Sequence, residues 1–552
     1  CFIAIIIPLS GILFFKKQWI LGKKFNYYSP ADMYYNYFKS STIKYVVIII
    51  GLFFAIPFLS IQLLAVGKLL VFVSNNAWHL NYIIIIVAFV LFLHVSIGGL
   101  KSVAYGDILN LFLIWFGIIA LGLFVLNLMG GFEEFKNGIS KIALIKGTKW
   151  NITPQQNYSS LFAVPDIIQI TKGIPKETPN GGIWTVAMIF SYVITFMGIQ
   201  SSPIFSMMAY TPKTYDKFEN KQLIFSSLGI GFALFIFIII IGMGSNLLGA
   251  NVVLNQSGIV KLKFLPEFIS MLNDGSLILY LLKVVENFSG LLFVFLVISF
   301  LAAIQSSGSA FIFCGATMMT RIFYTKNNKD LNYENKQKKL TRIFSLLIII
   351  FSLTLIIINK NLLFLLAGLS IALSFQLVVP LLAICYFPWL TKSGIKYGLI
   401  FGLITTLTTD NIGQIIFSEY VPWGTWPLTI YSGFWGIAIN SLLAILISLF
   451  TQSSLEQKNR IKFHNVFNIS KNKENLNKNY LFSSILFFII WLFFSIGPAL
   501  IIGNDIFGTP DEKNSWIFDI PSIWAWQIIF WLLGIASLWN LANSLKLFLY
   551  AK

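Results

Sequence analysis

The chain is a succession of apolar runs, each long enough to cross a lipid bilayer, and that constrains its fold more than anything else in it. About 20 apolar residues span the hydrocarbon as a helix. The run at residues 289–324 exceeds that, and so does the one at 45–73. Hydrophobic residues make up 57% of the 552 and charged residues 11%, less than half the roughly 25% charged fraction of a soluble chain. The fold class is therefore an all-α polytopic membrane protein.

The net charge of +18 would suggest nucleic acid in a soluble protein, but its distribution gives another reading. Every second connection carries lysine and arginine: Lys16, Lys17, Lys23 and Lys24; Lys213, Lys217 and Lys221; Arg321 to Arg342; Lys458 to Lys478. The positive-inside rule makes these connections cytoplasmic. Residue 1 then starts at the outer side and Lys552 ends inside. The long polar segment 130–182 is read as an external loop with short helices, and a short amphipathic helix is expected at 264–272. The three cysteines and three histidines form no metal-ligand spacing and no disulfide framework. An apolar run opens the chain at Cys1 with no polar spacer, so the sequence is expected to begin inside a helix.

Within residues 289–324, the order Gln305-Ser306-Ser307-Gly308-Ser309 interrupts an otherwise apolar helix. Neutral oxygens at that depth need partners other than lipid. Ala303, Ser306 and Ser307 are spaced so that one backbone carbonyl and two hydroxyls converge on one helical face. That donor set suits a small hard cation. Two plainer readings stand beside it. Serines in membrane helices back-bond to the carbonyl four residues earlier, and Ala302, Ser306 and Ala310 form a small-residue stripe for close helix packing.

Four stretches, in order, resemble the sodium:solute symporter family, which includes the sodium/galactose and sodium/proline carriers. HVSIGGLKSVAYGDILN at 94–110 is similar to that family's signature through Gly98, Gly99, Val103 and Asp107, with substitutions at His94, Ser102, Tyr105, Gly106 and Asn110. LAAIQSSGSAFIFCGATMMTRIFY at 301–324 resembles the family's helix with adjacent hydroxyl residues, although Arg321 departs from the acidic residue usual there. FPWLTKSGIKYGLIFG at 387–402 is similar to the exit from a late core helix, and FMGIQSSPIFSMMAYTP at 196–212 resembles a broken helix facing the substrate.

The resemblance implies an inverted-repeat core of two five-helix units, with sites at the midplane beside broken helices. It places the start of this chain within the second core helix, with the first core helix missing. Residues 1–450 would hold the core spans, including the external loop 130–182. Residues 451–480 would form a cytoplasmic basic loop, and 481–552 two additional C-terminal helices. By the same resemblance, Ala303, Ser306 and Ser307 carry over as sodium ligands, and Asp107 lies beside the inward sodium path. The plainer reading of Asp107 is a carboxylate at a helix N-terminus. Gln62, Ser191, Thr195, Gln200 and Gln376 are the candidate solute contacts, and each has an interhelical hydrogen bond as its alternative. Tyr192 and Phe196 are candidates for an aromatic gate.

These features imply a sodium-coupled importer of a small organic solute, in a bacterial inner membrane, working by alternating access. Sodium is the expected coupling ion, with no organic cofactor, no nucleic acid and no obligate protein partner beyond the bilayer. No titratable group lies near Ser306 and Ser307 in sequence, which favours sodium over a proton-coupled carrier of the same fold. A transporter-like sensor is the other alternative, but residues 451–479 are too short and polar for a signalling domain. No paired intramembrane carboxylates or activated nucleophile suggests an enzyme, and no filter motif suggests a channel.

Overall fold

The computed structural model describes residues 2–143, 162–174, 176–213, 225–256, 258–260, 263–267, 276–323, 333–358, 360, 362–418, 420–471, 478–510 and 512–544. Among these residues the protein is helical, with one isolated antiparallel bridge between Ile174 and Thr425. Ten helices are long and apolar enough to cross a membrane, and up to 12 if two sharply bent pairs each count as one. Most of the expected amphipathic stretch at 264–272 lies outside the described residues.

The chain opens with α1 (Ile3–Phe25), α2 (Pro30–Phe38) and α3 (Ser41–Val73). Ser29 caps α2 through its side chain, and Pro30 sits at the first helical position, where a missing N–H costs nothing. Next comes α4 (Leu80–Leu128), broken at a single residue, Gly99, with φ +59° and ψ −164°. Glycine accepts the left-handed φ without a Cβ penalty, so the break takes one residue and helix resumes at Lys101.

On the expected external loop, α5 (Phe132–Ala143) carries Glu133 and Glu134 in its first turn. The broken span that follows has three pieces: α6 (Val186–Thr195), α7 (Met197–Ser201) and α8 (Pro203–Met208). Ser202 caps α8 and Pro203 starts it, the pairing that ends one helix and begins another. A span with π-helical turns, α9 (Ser226–Ala250), precedes α10 (Ser276–Phe288).

The serine-bearing helix is α11 (Gly290–Phe323), which packs on α4, α3 and α12 (Tyr333–Ile358). A second interrupted span comprises α13 (Leu362–Phe375) and α14 (Val378–Cys385). Then come α15 (Lys392–Thr409), bent by 81° into α16 (Asn411–Phe417), and α17 (Ser432–Phe450). A Cβ on Gly398 would stand 2.7 Å from the Asn440 carbonyl, so glycine there lets α15 lie close against α17.

The basic segment read as a loop contains a helix, α18 (Ser454–Lys471). Its Arg460 is buried, donating through Nε to the Pro388 carbonyl at 2.7 Å. Two last helices are α19 (Lys478–Ser495), bent by 51° into a short 3-10 turn at Pro498–Asn504, and α20 (Ser522–Ser544). They pack on each other, and α20 also packs on α1.

Candidate ion and solute sites

The nine residues singled out from the sequence fall into two groups. Ala303, Ser306, Ser307, Asp107 and Gln62 meet where α11 crosses α3 and α4. The Ser307 hydroxyl donates to the Ala303 carbonyl at 2.9 Å and accepts from Gln62 Nε2 at 2.6 Å. Ser306 stands close to the Asp107 carboxylate. Asp107 is six residues into the arm Lys101–Leu128, beyond the first turn where the helix dipole is felt. The plainer reading, an acid at a helix N-terminus, does not describe it.

Back-bonding accounts for part of this helix. Ser309 donates to the carbonyls of Gln305 at 2.7 Å and Ser306 at 3.0 Å, and Ser307 does the same to Ala303. Back-bonding still leaves acceptor capacity. A hydroxyl oxygen has two lone pairs, so Ser307 keeps one after accepting from Gln62, whereas the Ala303 carbonyl, which also accepts its helical N–H, has both engaged. Gln62 Oε1, on the same side chain that contacts Ser307, is buried without a hydrogen-bond partner among the described residues. A buried amide oxygen in that state costs about 1–3 kcal/mol, and a cation would satisfy it.

In the second group, the broken span α6–α8 crosses α13. At Gly198 a Cβ would run into the Ile371 carbonyl and come within 2.8 Å of the Phe375 nitrogen, so the two backbones touch there. Ser201 Oγ donates to the Ser374 carbonyl at 3.0 Å across this crossing. Around it, most expected solute contacts are spent on the scaffold. Ser191 accepts from the Tyr431 N–H at 2.9 Å, and Thr195 donates to the Ser191 carbonyl at 2.7 Å. Gln376 Nε2 reaches the carbonyls of Ala372 at 3.2 Å and Gly433 at 3.0 Å, while Asn440 Nδ2 donates to the Gln376 carbonyl at 2.9 Å. Gln200 differs, because its Oε1 is buried with no partner among the described residues.

Ser374 shares that condition: its own hydroxyl is buried and unpartnered among the described residues. The sequence reading passed over it, though it stands two residues before Gln376 in an interrupted apolar run. Gln18 was missed too. It is fully buried on α1 and donates from Nε2 to Ser206 Oγ on α8 at 3.0 Å. A glutamine after two lysines reads as a helix end, which hid it. Tyr192 makes edge-on contacts with Phe196 at 5.1 Å and Tyr431 at 5.0 Å between ring centroids. Arg321, which departs from the family pattern, is paired with Asp32 on α2 at 3.0 Å.

The sequence model of the sodium:solute symporter family matches residues 2–402. The chain belongs to that family. It is a transporter and not an enzyme, and its long apolar helices make it a multi-pass integral membrane protein. Among solved structures it is similar to a Na+-coupled sialic acid symporter captured substrate-bound and outward-open. The TM-score is 0.57 and the identity 14%, covering 82% of this chain and 84% of the other. That likeness carries the fold. No curated protein matches. Membership of the symporter family supports sodium-coupled transport of a small solute.

Proposed function

We propose that this symporter imports a small organic solute by alternating access, with sodium held between α11, α3 and α4. The observation that carries the reading is the buried, unpartnered Gln62 Oε1 beside Ser307 and Ala303. Ser307 Oγ retains a lone pair for a cation, and the Ala303 carbonyl becomes available when the Ser307 hydroxyl turns away from it. Ser306 stands close to Asp107, whose carboxylate adds negative charge on the inward side. Gln62 therefore moves from the solute contacts to the ion site.

The solute lies at the crossing of the two interrupted spans, where Gln200 Oε1 and Ser374 Oγ are the buried polar groups left over. Ser191, Thr195 and Gln376 brace that crossing and do not face the cargo. The core is the two five-helix inverted repeat, within residues 1–450, and residues 481–552 add two helices outside it. The basic connections put the C-terminus in the cytoplasm, in a bacterial inner membrane. Sodium at the α11 site favours the outward-open arrangement only through its tighter binding to that state.

The test is uptake of a panel of labelled solutes into proteoliposomes holding the full-length protein. An inward sodium gradient, a proton gradient and no gradient are compared. Sodium-driven accumulation that Ser306→Ala with Ser307→Ala abolishes supports the reading. Uptake driven equally by protons, or kept in full by that variant, refutes it.

A further inference from the structure

Away from both sites, the end of the bundle that carries α5 contains a cavity of about 470 Å³. Its volume falls in the range of small-molecule sites. One wall is Phe132, Phe135 and Ile139 of α5, and another is Phe235, Ile236, Ile239 and Ile240 of α9. Trp516 to Ile528, leading into α20, close the third side, with Trp184 and Ile189 at the start of the broken span. The lining is aliphatic and aromatic apart from Lys136, Asp519 and Gln527.

The mouth of the cavity is apolar and exposed. Phe132 is 49% exposed and Trp184 42%, and the cavity-lining helix α9 turns Leu234 and Ile238 outward. Tryptophans 184, 516 and 524 gather at this level, as they do where a bilayer meets water. At the rim the Lys136 side chain is 8% exposed. Its ammonium lies 2.7 Å from Glu133 and 3.4 Å from Asp519, whose side chains are 75% and 67% exposed. An ammonium has three N–H donors, and the two carboxylates take two. The rim thus offers one remaining donor on a buried cation, flanked by two exposed anions.

We propose that this cavity holds an acyl chain of a zwitterionic phospholipid with an ammonium headgroup. The phosphate takes the remaining Lys136 donor, and the headgroup ammonium lies against Glu133 and Asp519. An anionic lipid lacks a cation for those two carboxylates, and a free fatty acid places its carboxylate beside them. Because Trp184 and Ile189 belong to the entry of the broken span, the occupied cavity buttresses the helix that leads to the solute crossing.

The experiment uses full-length purified protein and phosphatidylethanolamine with a photoactivatable acyl chain, with adducts mapped by peptide mass spectrometry. Adducts are expected on 235–240 and 523–528, with unlabelled phosphatidylethanolamine competing about fivefold better than phosphatidylglycerol. Ile239→Trp should remove these adducts and leave labelling elsewhere intact. Lys136→Gln should erase the headgroup preference. Adducts spread over the lipid-facing surface but absent from these segments overturn the proposal, and the parent protein alone reads that outcome. Equal competition by phosphatidylglycerol, or labelling by a photoactivatable fatty acid in place of the phospholipid, overturns it too.

Discussion

The Gln62 side-chain amide donates to the Ser307 hydroxyl at 2.6 Å, joining α3 to α11 at the one place where α11 is rich in polar side chains. Ser307 in turn donates to the Ala303 carbonyl, so Gln62, Ser307 and Ala303 form one chain of hydrogen bonds from α3 into α11. Gln62 Oε1 has nothing to accept from among the described residues. A sodium ion held there, as proposed, would give Gln62 Oε1 a partner at the cost of, at most, the bond from the Ser307 hydroxyl to Ala303.

Gln62→Leu removes both the bond to Ser307 and the unpartnered oxygen. The sodium concentration for half-maximal uptake should rise about tenfold, equivalent to about 1.4 kcal/mol. The solute KM at saturating sodium should stay where it is. Sodium titrations of initial uptake rates decide this. A raised solute KM with unchanged sodium dependence would return Gln62 to the solute face.

Asp107→Asn keeps the shape of the side chain and its reach to Ser306 but loses the charge. Half-saturation by sodium should move up by about tenfold or more, with a smaller change in maximal rate at high sodium. Sodium-dependent uptake in Asp107→Asn that overlays the parent would place the carboxylate outside the ion path.

Gln200 and Gln376 separate cargo contacts from scaffold. Gln376→Leu strands the Ala372 carbonyl and removes the bond to the Gly433 carbonyl, and should cost about 1–3 kcal/mol of stability, seen as a lower unfolding temperature with the solute KM retained. Gln200→Ala, which breaks no hydrogen bond of Oε1, should keep the unfolding temperature and raise the solute KM. The reverse pattern would exchange the two roles.

Docking of α18 should be sensitive to pH through His464. The Tyr37 hydroxyl donates to the Ala383 carbonyl at 3.0 Å and stands 3.0 Å from His464 Nε2; with that proton used, the Nε2–H tautomer of the neutral ring fits. Burial, with Lys17 and Arg460 nearby, pushes the imidazole down to about 4 from its ordinary 6.5, against a bond to the Ala383 carbonyl that favours the charged form. Since the unfolded chain binds the extra proton first, this contribution to stability is whole above about pH 6.5 and is lost as pH falls toward 4. The unfolding temperature should drop between pH 7 and pH 4.5 in the parent and less in His464→Gln. Identical slopes in the two proteins would contradict the assignment.

The spanning helices were legible because lipid forces the backbone to bond internally, so the long apolar runs had to be helices. The closeness of Ala303, Ser306 and Ser307, the proposed ion group, was legible for a local reason: they lie on one helix, where spacing fixes direction. The solute crossing was not. Gln376 is closed off by Asn440 from a distant helix, and Ser374 stays unpartnered because of how α7 meets α13; neither fact has a trace in local sequence. Nor did charge density in residues 451–480 show that Arg460 would be buried and hold a helix against Pro388. That the break at Gly99 takes a single residue has no trace in the sequence, where the glycines and polar residues around it suit a longer turn.

Equilibrium binding of labelled sodium to the purified full-length protein tests the central claim most directly, since it needs no knowledge of the solute. Saturable binding is expected in the parent. Ser306→Ala with Ser307→Ala should lose it while eluting as the same monodisperse species. Equal sodium binding by parent and variant would place the ion elsewhere and contradict the account.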